Sequence, residues 1–116
     1  MSQSFGTLIN ADGLNDARIQ AIRSALREQE FFKDEDSIFL RSVNGETHLI
    51  AMSWGYSDTE PRRRYAECLA EAVWNANVEY CKLRICIQDY RDVFNFDYHD
   101  YLRLRPGAPF DSLFGK

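Results

Sequence analysis

No GxSxG elbow, phosphate-binding glycine loop, HExxH pair or EF-hand loop occurs anywhere in the chain. Without one, the sequence names no nucleophile, phosphate cradle or ligand set, and no catalytic residue is assigned. Histidine is limited to His48 and His99. Cysteine is limited to Cys68, Cys81 and Cys86, an odd number with no CxxC pair. That excludes a closed disulfide framework and leads us to expect buried, reduced thiols. A metal site built from these thiols and the two histidines would lack the close ligand pairs of structural zinc sites. No metal and no cofactor are therefore expected. No apolar run reaches the length of a membrane span, and MSQSFGTLIN has no charged-then-apolar leader pattern. These absences point to a cytoplasmic protein with no membrane partner. Lysine is scarce too, three against eleven arginines, and the net charge of −4 argues against direct nucleic-acid binding.

What is present is the composition of one globular domain: 45% hydrophobic and 28% charged over 116 residues, with 14% aromatics. Residues 1–12 show no period and read as a flexible arm, so the domain is expected over residues 13–105. Asp12 or Asn15 can cap a helix starting near Leu14. Ile19, Ile22, Ala25 and Leu26 then share a face suited to core packing.

Asn44-Gly45 is the clearest local signal, a pair suited to the positive backbone angles of a type I′ turn. It predicts a hairpin of residues 37–43 with 46–54, in which Val43 faces Glu46, Leu40 faces Leu49, Phe39 faces Ile50 and Ile38 faces Ala51. In that register one face carries Ile38, Leu40, Leu49 and Ala51, and the other carries Phe39, Val43, Ile50, Met52 and Trp54, with Phe39, Ile50, Met52 and Trp54 as its candidate interface residues. Both faces are apolar, so the second set is a candidate interface, with homodimerisation as one use.

Ser57 or Asp58 can cap a second helix, with Pro61 in its first turn. Tyr65, Cys68, Leu69, Ala72, Val73 and Ala76 form its apolar stripe, while Trp74, Asn75 and Asn77 are left undecided. Arg62, Arg63 and Arg64 crowd the first turn against the helix macrodipole. They read either as pairing with Asp58, Glu60 or Glu67, or as an anion site.

From Lys82 to Leu104 two alternating runs, Leu83-Ile85-Ile87 and Phe94-Phe96-Tyr98, predict a second hairpin about a loop near Asp89–Asp92. Its polar side gathers Asp89, Tyr90, Asp92, Asp97, Tyr98, Asp100 and Tyr101. Tyrosine offers contact area with few rotamers to freeze, and carboxylates beside it would attract a cationic protein. Residues 106–116, opened by Pro106-Gly107, read as an extended tail.

Together these readings give an α+β fold: a four-stranded, mainly antiparallel sheet with two helices on one face, ordered α-β-β-α-β-β. That order is a permuted ferredoxin-like arrangement with residues 93–98 as a central strand. It also resembles, in element order alone, bacterial secretion chaperones and related small α/β modules, and brings no site residue with it. The functional expectation is a small acidic protein-binding module: an inhibitor, immunity-type, anti-defence or adaptor protein. It would occlude a basic partner protein through the Tyr/Asp-rich face. The alternatives are a dimeric chaperone or assembly factor using the apolar sheet face, and a small enzyme of unassigned reaction.

Overall fold

A computed structural model describes residues 5–29, 32, 38–56 and 61–104. The elements are β1 (Thr7–Leu14), α1 (Ile19–Arg27), β2 (Ile38–Val43), β3 (Glu46–Ser53), α2 (Arg62–Asn77), β4 (Lys82–Ile87), β5 (Asp92–Phe96) and α3 (Tyr98–Leu104). The five strands form one antiparallel sheet in the order β2-β3-β1-β4-β5.

The α+β class is as expected, but the four-stranded, two-helix arrangement is not: the sheet has five strands and the fold three helices. The added strand is β1, drawn from the stretch expected to be a loose arm. It is the centre of the sheet, paired with β3 on one side and β4 on the other. Its alternation is brief because the register shifts between Ala11 and Leu14, where Gly13 takes φ +73°. A glycine in that conformation is the mark of a bulge, which re-aims the strand and breaks its period. β5 lies at the sheet edge, so residues 93–98 do not form a central strand, and the permuted ferredoxin-like arrangement falls with that placement. The added helix is α3. It begins at Tyr98, where the alternation of Phe94, Phe96 and Tyr98 predicts a continuing strand.

Two other expectations are met closely. The first hairpin has Val43 facing Glu46 and Phe39 facing Ile50, with Asn44 and Gly45 at φ 53° and 83°. Asn15 rather than Asp12 supplies the first helical cap: its side chain accepts from the Ala17 amide at the short 3-10 turn (Asp16–Arg18) that opens α1. The caps expected from Ser57 or Asp58, and the tail of residues 106–116, lie outside the described residues.

Helices α1 and α2 pack together over one sheet face. Ile22 and Leu26 belong to one buried core with the inward side chains of all five strands, including Ile9, Ile38, Leu49, Ile85 and Phe96. Burying such side chains is worth about 1.5–3 kcal/mol each. Trp74, left undecided above, is fully buried, and its indole N–H donates to the Cys81 carbonyl at 2.9 Å. Asn77 is buried as well and accepts from the Asn15 amide at 2.8 Å, tying the end of α2 to the end of β1. Asn75 is exposed. Among the described residues, no helix is long and apolar enough to cross a membrane.

Candidate functional site

The Tyr/Asp-rich stretch does not fold into one surface. Strand β5 separates its members, placing Asp89, Tyr90 and Asp92 at one end and Asp97, Tyr98, Asp100 and Tyr101 at the other. Five strand residues put those ends roughly 17 Å apart. Each carboxylate also has a structural partner. Asp89 accepts from the Phe5 amide at 2.7 Å. Asp92 pairs with Arg62. Asp97 and Asp100 form a reciprocal cap at the start of α3: the Asp100 amide donates to Asp97 Oδ1 at 3.1 Å, and the Asp97 amide donates to Asp100 Oδ2 at 3.0 Å. That is a capping box with aspartate in both positions. Burial pushes the Asp100 carboxyl up, but the Asp97 amide and the Arg103 guanidinium outweigh it and hold the group below its ordinary value.

The tyrosines divide likewise. Tyr101 is buried, edge-on to Trp74 at 5.3 Å between ring centroids. Tyr98 is exposed but stacks on Tyr101 and meets Tyr80 edge-on. Tyr90 is exposed at the other end, against Phe5 and beneath the Arg84 guanidinium.

The candidate anion site is also spoken for. Arg62 pairs with Asp92 and lies over the Tyr56 ring. Arg63 reaches Glu67 at 3.4 Å and Asp100 at 3.8 Å. Arg64 reaches Glu67 at 3.4 Å and Glu71 at 3.7 Å, and Arg103 adds a 2.9 Å contact to Glu67. Glu67 is thus a buried carboxylate under three guanidiniums. Burial raises its pKa, and Arg103, Arg64 and Arg63 together lower it further, to a net value below the ordinary one. Of the pairings expected for the triplet, the one with Glu67 forms, while Asp58 and Glu60 lie outside the described residues.

What remains open is the sheet face opposite the helices. Strand parity places Phe39 and Arg41 of β2 there, with His48, Ile50 and Met52 of β3 and Leu8, Asn10 and Asp12 of β1. Lys82, Arg84 and Cys86 of β4 and Val93 and Asn95 of β5 complete the face, with Trp54 at its corner. Among the described residues no helix covers it. The four candidate interface residues Phe39, Ile50, Met52 and Trp54 therefore do share one surface. Trp54 is 66% exposed and Phe39 55%. Met52, Leu8, Cys86 and Val93 line up across four neighbouring strands as one apolar row, in which Cys86 is buried, Leu8 and Met52 are half-buried and Val93 is exposed.

Beside this row lies a polar one. Asn10, Asp12, Lys82, Arg84, Val93 and Asn95 line an open concavity of about 420 Å³. Asp12 is held by His48 at 3.4 Å. Arg41, Lys82 and Arg84 make no ion pair among the described residues. Leu8, Val93 and the polar row went unassigned in the sequence because they share a face only once β1 lies between the hairpins. The one signal available was the alternation of Thr7, Ile9 and Ala11 with Leu8, Asn10 and Asp12.

The thiols do not add to this face chemically. Cys81 is buried and its pKa is pushed up to about 12, by burial first and by Asp12 and Glu79 next. Burial raises that of Cys86 too, although Arg84 opposes it. Among the described residues no group of three or more His, Cys, Asp or Glu side chains could hold a metal ion. Comparison with family models, with curated proteins and with solved structures gave no match.

Proposed function

We propose that the protein is a binding module that docks a partner protein on the open face of its sheet. The partner presents an apolar surface bordered by carboxylates. The observation that carries this reading is the face itself: a cross-strand apolar row with Phe39 and Trp54 exposed beside it, next to three cations that make no ion pair among the described residues, although Asp12 lies across from Lys82. Exposed aromatics supply the buried centre of such an interface, and Arg41, Lys82 and Arg84 supply steering and charge-assisted bonds at its rim.

This replaces a basic partner with an acidic one. Occlusion of a basic partner would draw on Asp89, Asp92, Asp97 and Asp100, and those groups have internal hydrogen bonds or ion pairs. Recruiting them would mean breaking contacts that hold the β4–β5 loop and α3 in place. The mechanism is docking without turnover, as in an adaptor or assembly factor. A cytoplasmic setting, which the free thiols Cys68, Cys81 and Cys86 suit, belongs to the same proposal.

The test is site-specific photo-crosslinking in cells, with benzoylphenylalanine at Trp54 or Phe39 and, as control, at Gln20 on the exposed side of α1. A common product from the first two positions, absent from Gln20 and weakened by K82E/R84E, supports the reading. Equal products from all three positions, or insensitivity to the charge reversal, overturns it.

A further inference from the structure

We propose that two copies of the chain pair through β2, edge to edge, about a two-fold axis centred on Leu40. The pairing borders the open face, where it draws on Phe39 and Arg41, and it rests on the backbone of β2.

The alternation of the sheet fixes which groups β2 leaves free. The Gln88 amide donates to the Gly6 carbonyl at 2.8 Å, the pattern of a ladder in which residues 8, 10 and 12 of β1 bond β4 and residues 7, 9 and 11 bond β3, although the Gly6 amide itself turns to Ser53. Carried across β3, the same alternation makes residues 39, 41 and 43 bond β3. The two-residue turn reaches that result independently, since a type I′ loop closes with a bond from the Glu46 amide to the Val43 carbonyl. The amides and carbonyls of Ile38, Leu40 and Ser42 therefore project from the sheet edge, and no described strand receives them.

Side chains on the same strand match this vacancy. β2 is exposed on both sides, Phe39 at 55% on the open face and Leu40 at 37% on the helix side. The strand has no proline and no bulge, and its single charged residue is Arg41 on the open face. The other edge differs: on β5 only Val93 and Asn95 project outward, and a helix follows at once.

The occupant follows from the register. An antiparallel two-fold pair centred on Leu40 sets Leu40 against its own copy and Ile38 against Ser42 of the second copy. All three projecting residues then exchange both bonds across the axis. It also puts the Arg41 guanidinium beside Phe39 of the second copy, an aromatic–cation pair on the open face. Centring on Arg41 instead would oppose like charges and leave the projecting groups out of step. The Leu40-centred pair yields a ten-stranded sheet whose two open faces lie on the same side.

The experiment is sedimentation of the full chain with the variant Leu40→Pro. The Leu40 amide points off the edge, so proline there removes no bond to β3. Wild type is expected to be a dimer by mass action, and L40P a monomer with unchanged far-UV circular dichroism. Loss of two symmetric hydrogen bonds should weaken association by about tenfold or more. A monomeric wild type would leave the edge to another chain or to other residues of this one, and overturns the proposal. So does a dimer that L40P does not weaken.

Should L40P fail to fold, the register is read by oxidative crosslinking of Leu40→Cys and Ser42→Cys, each with Cys68→Ser. Facing Cα atoms in a bonded pair lie about 5.5 Å apart, within disulfide range, whereas residue 42 and its copy would be roughly 14 Å apart. L40C dimers without S42C dimers support the register. Equal yields, or none, overturn it.

Discussion

Gly6 and Gly55 approach so closely that a methyl group on Gly6 would sit 2.5 Å from the Gly55 carbonyl oxygen. The contact is between backbones, so no side chain can swing aside. Thr7 reinforces it by donating its hydroxyl to the same oxygen at 2.8 Å, and the Gly6 amide donates to Ser53. Gly6→Ala is expected to destabilise the fold by about 2–3 kcal/mol, a typical cost of overpacking against immovable neighbours. Urea denaturation reads this as a lowered midpoint. An unchanged midpoint would mean the two segments can separate freely.

Val78 ends α2 with φ 68°, a left-handed conformation that a β-branched residue adopts at a cost. Glycine is the usual occupant of that position. Val78 is 55% exposed, so little packing is lost on replacing it. Val78→Gly should therefore raise stability by about 0.5–1.5 kcal/mol, the relieved strain exceeding the added chain entropy. Thermal melting is the measurement, and a fall in Tm refutes the account.

Glu67 anchors Arg63, Arg64 and Arg103. These guanidiniums are about half exposed, so solvent screens each pair. Glu67→Gln is expected to cost about 1–2 kcal/mol, below the figure for a fully buried pair.

The same hub sets an acid limit. The folded pKa of Glu67 lies below the ordinary 4.5, so its contribution is complete above that pH and lost as the pH falls through the folded value. Asp100, likewise depressed from 3.8, acts in the same direction at slightly lower pH. Stability should decline below about pH 4.5, and more gently in Glu67→Gln. Denaturant midpoints measured from pH 6 down to about 3 decide it: parallel curves for both proteins would remove Glu67 as the cause.

Thiol labelling offers a separate check on burial. Cys81 and Cys86 are enclosed with raised pKa values, while Cys68 is only half-buried. In the native protein at mildly alkaline pH, Cys68 should react first with a disulfide reagent, and the other two only at the rate of unfolding. Rapid labelling of all three would show that the sheet opens locally.

The first hairpin was legible because its turn chemistry and both strand patterns agree: Asn44-Gly45 admits one loop, and the loop fixes every pair up to Ile38 and Ala51. β1 was not, because Asp12-Gly13 has the look of a turn and is in fact a bulge inside the strand. α3 was missed for the opposite reason. Phe94, Phe96 and Tyr98 continue one alternation, and only the spacing of Asp97 and Asp100 marks where a helix takes over.

The candidate site was legible only in part. The sequence offers Asp92, Asp97 and Asp100 as carboxylates for a basic partner, and in the fold each has an internal charge or amide partner. Whether those partners belonged to another protein or to α2 and α3 depended on packing that no local pattern records. The apolar face carrying Phe39, Ile50, Met52 and Trp54 was readable, because parity along a paired strand is a local property.

The position of β1 has a consequence for how the molecule assembles. It precedes both of its neighbours, residues 46–53 and 82–87, so each hairpin can close alone but the two cannot be joined until β1 is inserted between them. Contacts of such long sequence separation make for slow folding. A chain released before β4 is complete would hold its first strand with one flank unzipped.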